Sequence, residues 1–147
     1  MSPFRMYLRV VSKSLQPEEI SNRLGVEPDE STSIGSRRHP QSPPRSHATW
    51  IRHAGETGGY ARPEDLEPVV VGWGMDLANS LGRLADSGEA IVSLEIVQEI
   101  RDIDDPQQKG IFLGVDLLSW MGTARASLDI DQYVYHECGH ESDSAVP

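Results

Sequence analysis

One cysteine, Cys138, stands among 147 residues; this excludes an internal disulfide framework and fits a reducing compartment. No apolar run approaches the roughly 18 residues of a membrane-crossing helix. Met1 to Val11 carries Arg5 and Arg9 among its apolar positions and lacks a small-residue cleavage site, so it reads as a strand and not as a signal peptide. The expected location is therefore cytoplasmic, with no membrane partner. Internal repeats, a P-loop and a dinucleotide-binding glycine fingerprint are also missing, so no phosphate cradle of those kinds is expected.

Basic residues are scarce. Thirteen Lys and Arg face 23 Asp and Glu, for a net charge of −10. The imbalance is uneven: Ser31 to His53 holds Arg37, Arg38, Arg45 and Arg52 with no acid, giving +4, and the other residues hold 9 basic against 23 acidic groups, giving −14. An acidic surface repels phosphate backbones, so a nucleic-acid partner is excluded across any broad face. A basic protein partner is favoured by long-range attraction.

The composition suits one packed domain. Apolar residues make up 37% and glycine is present 13 times, close to the globular share, and a chain of this length buries roughly 68–70% of its unfolded surface. Residues 1–138 read as a single α+β domain and residues 139–147 as a flexible C-terminal tail.

Phe4, Met6, Leu8 and Val10 alternate with Arg5, Tyr7 and Arg9, the period of a half-buried strand. Pro17-Glu18-Glu19 opens a helix that turns Ile20 and Leu24 inward and stops at Gly25. Glu27 to His47 has the Pro, Ser, Gly and Arg of a long loop. A second strand is predicted over Ala48 to His53 around Trp50. A helix follows from about Glu67 to Asp86, where Val70, Trp73, Leu77, Leu81 and Leu84 share a stripe despite Gly72, Gly74 and Gly82. Glu89 to Ile100 and Gly110 to Val115 read as strands. Asp116 caps a short helix, and Leu128 to Tyr135 closes the chain as a strand. The expected architecture is a five-stranded, mostly antiparallel sheet with three helices on one face, in the order strand-helix-strand-helix-strand-strand-helix-strand. Trp50 and Trp73 are assigned to the core.

Several of these segments form an ordered set. The first strand, L-x-P-E-E-I (Leu15 to Ile20), L-G-V-x-P (Leu24 to Pro28), Gly35, Trp50, the closing helix and L-D-I-D-x-Y (Leu128 to Tyr133) together resemble the bacterial domain-of-unknown-function family 4279, from about Met6 to Tyr135. The Arg- and Pro-rich stretch from Arg37 to Arg45 departs from that pattern. The resemblance implies a small stand-alone α+β domain, and it brings no activity and no catalytic residues.

The chemistry in the sequence is sparse. His136-Glu137-Cys138-Gly139-His140 matches H-E-x-x-H, but that motif needs a helix to put both histidines on one face. Here it follows a strand and contains a glycine, so no metal site is assigned and His136, Cys138 and His140 read as a polar tail. Glu137 and Glu141 oppose a reactive thiolate at Cys138. Asp102, Asp104 and Asp105 read as a solvated turn without the glycine-centred loop of a calcium site. Asp129 and Asp131 lie on an open strand face, the opposite of the desolvated setting that acid–base catalysis needs. No cofactor and no catalytic residue is assigned.

Two binding surfaces remain. If the first and last strands lie near each other, Tyr7 and Arg9 join Asp129, Asp131, Tyr133 and Tyr135 in one tyrosine- and acid-bearing patch suited to a protein partner. Arg37, Arg38 and Arg52 form an alternative anion site of bidentate guanidinium groups. The expected function is that of a non-enzymatic, cytoplasmic bacterial protein-binding domain, in its sharpest form an immunity-type protein masking a basic toxin. The alternative is a small-molecule or anion-binding sensor using the basic loop.

Overall fold

The computed structural model describes residues 3–58 and 61–136. Five strands form one mixed sheet in the order β2-β3-β1-β4-β5. They are β1 (Phe4–Ser12), β2 (Glu30–Thr32), β3 (Ala48–Thr57), β4 (Ile91–Ile100) and β5 (Ser127–Val134); the helices are α1 (Pro17–Leu24), α2 (Glu67–Gly72), α3 (Met75–Asp86) and α4 (Val115–Ala124). Neighbouring strands run antiparallel except β4 and β5, which are parallel. The α+β class is as the periodicity predicts.

The alternation in β1 works as expected: Phe4, Met6, Leu8 and Val10 are buried, while Arg5, Tyr7 and Arg9 lie on the other face. The helices meet the first set. Met6, Leu8, Val10, Trp50, Leu94 and Ile96 share one core with Ile20, Leu81, Leu117 and Trp120. Each such apolar side chain contributes about 1.5–3 kcal/mol when fully buried. Two polar links fix the helix layer: the Trp50 indole N–H donates to Ser21 Oγ at 3.0 Å, and the Trp120 indole N–H donates to the Gly74 carbonyl at 3.0 Å. Trp73, assigned to the core, is only half-buried; it packs edge-on against Trp120 with the Arg52 guanidinium over its ring.

The element order differs from the expectation in three places. A short β2 forms inside the predicted loop, because Glu30 to Thr32 pairs with Ile51 to Thr49 and the Thr32 and Thr49 hydroxyls meet at 2.5 Å. Gly110 to Val115 is not a strand. Ile111 and Leu113 pack against the core from an extended segment, which ends where Gly114 N–H donates to the Glu67 carboxylate at 2.8 Å. Gly114, not Asp116, therefore stands at the start of α4. The helix predicted from Glu67 to Asp86 is two helices, broken where Gly74 takes φ 94°, a backbone conformation that other residues adopt only under strain.

Gly82 explains why α3 tolerates a glycine. A methyl group there would collide with the Thr123 backbone carbonyl of α4, so the missing side chain sets how closely the two helices approach. We predict that Gly82→Ala destabilises the fold by about 1–3 kcal/mol through overpacking, although alanine is the better helix former by about 1 kcal/mol. Gly72→Ala, which meets open space, is expected to be neutral or mildly stabilising. Urea unfolding of both variants checks the contrast.

Candidate functional site

The face of the sheet opposite the helices carries the polar half of each alternating strand. Register places His53 of β3 beside Tyr7 of β1, Tyr7 beside Glu95 of β4, and Glu95 beside Asp129 of β5. One row thus crosses four strands. The next row holds Arg5, Val97 and Asp131, and beyond it Glu99 lies beside Tyr133. The Tyr7 and His53 rings meet edge-on at 5.7 Å, and His53 Nε2 is bonded to the Glu30 carboxylate of β2. Arg9 Nη1 approaches Glu95 Oε1 at 3.6 Å. Farther along, the Tyr135 hydroxyl donates to Glu99 Oε1 at 3.3 Å while the Arg101 guanidinium lies over the Tyr135 ring.

Tyr7, Arg9, Asp129, Asp131 and Tyr133 therefore share this face, and Tyr135 continues it. The first and last strands are not neighbours, however: β4 runs between them and supplies Glu95 and Glu99 to the middle of the patch. Glu95 was not among the residues singled out from the sequence. Its signal lay in β4 itself, where the consecutive Ile96-Val97 puts apolar residues on both faces, a mark of a strand covered on each side.

The basic residues do not converge in the same way. Arg37 Nη1 donates to the Ser42 carbonyl at 2.6 Å within its own loop, and Arg45 donates to Ser36 Oγ at 3.0 Å. Arg52 points to the helix side, over Trp73, and donates to the Glu27 carbonyl at 3.3 Å. Arg38 is exposed, and no hydrogen bond or ring contact among the described residues joins it to Arg37 or Arg52. The loop is pinned by the Gln16 side chain, which accepts from Ile34 N–H at 2.9 Å.

Shallow clefts of about 360 Å³ between α3 and α4 and about 380 Å³ beside α2 are lined by neither histidine nor cysteine. Among the described residues no group of three or more His, Cys, Asp or Glu is placed to hold a metal ion. In the H-E-x-x-H stretch, Glu137 to His140 lies outside the described residues, as does the predicted tail 139–147. No helix of the described residues is long and apolar enough to cross a membrane.

Comparison with known families gives one match, to the domain of unknown function DUF4279, over residues 2–135. The chain belongs to DUF4279. No curated protein and no solved structure matches it. The DUF4279 match spans every strand from β1 to β5, so the sheet face described here is built wholly within the family's domain.

The centre of this DUF4279 face is electrostatically unusual. Glu95 is only 4% exposed, and its Oε2 is buried with no hydrogen-bond donor among the described residues. Burial pushes the Glu95 carboxyl above its ordinary range; the Asp129 charge and a hydrogen bond to Asp129 push it further, Arg9 opposes, and Asp131 adds a smaller upward push. Together these effects make Glu95 hold its proton more tightly than a free carboxyl does. Burial, and then Glu95, raise the Tyr7 phenol as well.

A raised folded-state value means that the folded chain holds this proton more tightly than the unfolded one. Below the unfolded value both states hold it, and stability falls as pH rises from there through the folded value. Glu95→Gln keeps the shape, offers Asp129 an N–H and cannot ionise. We expect the variant to match the wild type near pH 4 and to exceed it at pH 7–8, its melting temperature rising by roughly 2–4 °C for each kcal/mol recovered. Calorimetry across that pH range measures this. A variant less stable than wild type at neutral pH would mean that the Arg9–Glu95 ion pair outweighs burial.

Proposed function

We propose that this domain is a non-enzymatic binding module whose open sheet face docks a basic protein partner. The observation that carries the reading is the face across β1, β4 and β5, polar except at Val97, where Tyr7, Tyr133 and Tyr135 stand among Glu95, Glu99, Asp129 and Asp131. Tyrosines are rigid anchors at interfaces, and the acidic groups at the β5 side match a net charge of −10 in steering a basic partner. RNA-binding sheets also display aromatics, but on a basic background. An enzymatic reading has less support because the perturbed carboxyl, Glu95, lines none of the clefts described among these residues, and acid–base chemistry needs an enclosed site.

Within this reading the chain is a cytoplasmic bacterial protein of immunity type, masking a basic toxin. Size, charge and the compact domain support that role. The anion-sensor alternative has weaker support, since Arg37 and Arg52 each hold a carbonyl of the chain at separate places.

Affinity capture from host lysate tests the proposal with three baits. They are the wild type, Asp129→Lys/Asp131→Lys, and Asp76→Lys/Asp86→Lys, which makes the same charge change on α3. The expected result is one stoichiometric basic protein held by the first and third baits and weakened at least about tenfold by the second. Equal retention by all three would place the contact elsewhere. Retention of nothing by the wild type would remove the docking reading.

A further inference from the structure

The two edges of the sheet are finished differently. At one edge β2 is three residues long, too short to invite another strand. At the other, β5 runs for eight residues in unbroken register with β4, and every one of its residues is exposed. It has no proline, no lysine and no bulge among these residues, three of the usual means of blunting an edge; its charges, Asp129 and Asp131, are confined to the open face. Leu128, Ile130 and Val134 remain 38%, 38% and 42% exposed on the helix side.

The outward backbone groups can be assigned. Tyr135 N–H donates to the Ile100 carbonyl of β4 at 2.8 Å. Because the direction alternates along a strand, Asp129, Asp131 and Tyr133 also bond inward, and Leu128, Ile130, Gln132 and Val134 present their N–H and C=O groups outward.

From this pattern the geometry points to a second copy of this chain as the occupant of the β5 edge, paired antiparallel about a two-fold axis at Gln132. In that register Ile130 lies opposite the second copy's Val134, both outward-bonding positions. Asp131 lies opposite its Tyr133 and Asp129 opposite its Tyr135. The neighbouring registers are worse: an axis at Ile130 sets Asp129 against Asp131 twice, an axis at Asp131 sets that residue against itself, and an axis at Tyr133 leaves only Gln132 to Val134 of β5 paired. Like charges directly opposite destabilise a strand pair, so the sequence of β5 selects the register that separates them. The result is one ten-stranded sheet from two five-stranded ones, with both open faces on the same side. Tyr133 and Tyr135 then serve the joint, whereas Tyr7 and Glu95 stay clear of it.

Sedimentation of the full chain from micromolar to near-millimolar concentration reads the association directly. A monomer–dimer equilibrium is expected. Tyr133→Asp should weaken it roughly tenfold, because the two-fold axis counts each cross-strand clash twice, and Tyr133→Lys should tighten it by pairing with Asp131. Ile130→Pro, which removes an outward N–H while leaving the β4 ladder intact, should abolish it; Tyr133→Asp serves where the proline variant fails to fold. In a Cys138→Ser background, a mixture of Ile130→Cys and Val134→Cys chains should form a disulfide dimer that neither variant forms alone. A wild type that stays monomeric throughout overturns the proposal, whether the edge is then covered by the chain's own C-terminal residues or by another peptide. A dimer indifferent to both Tyr133 variants, or an Ile130→Cys chain that cross-links to itself, overturns the edge or its register. None of these readouts depends on the docking partner of the open face.

Discussion

The middle of β4, Leu94 to Gln98, is shielded on two faces and along two edges, and the rest of the molecule is arranged around that requirement. On the helix side Val92, Leu94, Ile96 and Ile100 are buried; on the other side Glu95 and Val97 are buried too. β1 covers one edge and β5 the other. Between β4 and β5 the fully buried Gln98 donates to the Gln108 carbonyl at 2.8 Å and accepts from Gln132 Nε2 at 2.8 Å. An unsatisfied amide at that depth costs about 1–3 kcal/mol. The Gln132–Gln98 bond therefore adds a buried side-chain tie to the ladder that sets the parallel register of β5.

The same enclosure creates the tension on the open face. A carboxyl group sits in the most enclosed strand, flanked by one arginine and by the carboxylates of Asp129 and Asp131. Burial and the Asp129 charge make it hold its proton more tightly than a free carboxyl does, and Arg9 opposes them. That arrangement sets a carboxyl that favours its proton beside Tyr7 on a face that also carries Tyr133, a polar and aromatic surface of the kind that meets another macromolecule. It is the physical basis of the docking role proposed above.

Most of this was legible wherever side chains repeat with a period. The alternation in β1, β4 and β5 and the stripes of α1 and α4 gave their positions directly, whereas β3 runs on past the expected His53 to Thr57 and the stripe of α3 reads as continuous with α2. Elements held by a partner were not legible. Glu30 to Thr32 has no apolar pattern and is a strand only because β3 lies beside it. Ile111, Leu113 and Val115 alternate like a strand, yet no ladder is available to them, and Val115 begins a helix. The site divides in the same way. Tyr7, Arg9, Asp129, Asp131 and Tyr133 could be put on one face from parity alone, but strand order decides who their neighbours are. Only the insertion of β4 between β1 and β5 brings Glu95 to the centre.

Strand order also bears on synthesis. β4 precedes α4, and β5, which completes the sheet on that side, comes after it. A nascent chain that has emerged as far as Ala124 can pair β4 with β1 but leaves its other edge bare, with Leu94, Ile96 and Val97 beside it. For that interval the strand destined for the deepest burial is a sticky border, and non-local pairings of this kind form slowly. The last described strand thus acts as a closing seam, and vulnerability to misassembly on the ribosome ends when it docks.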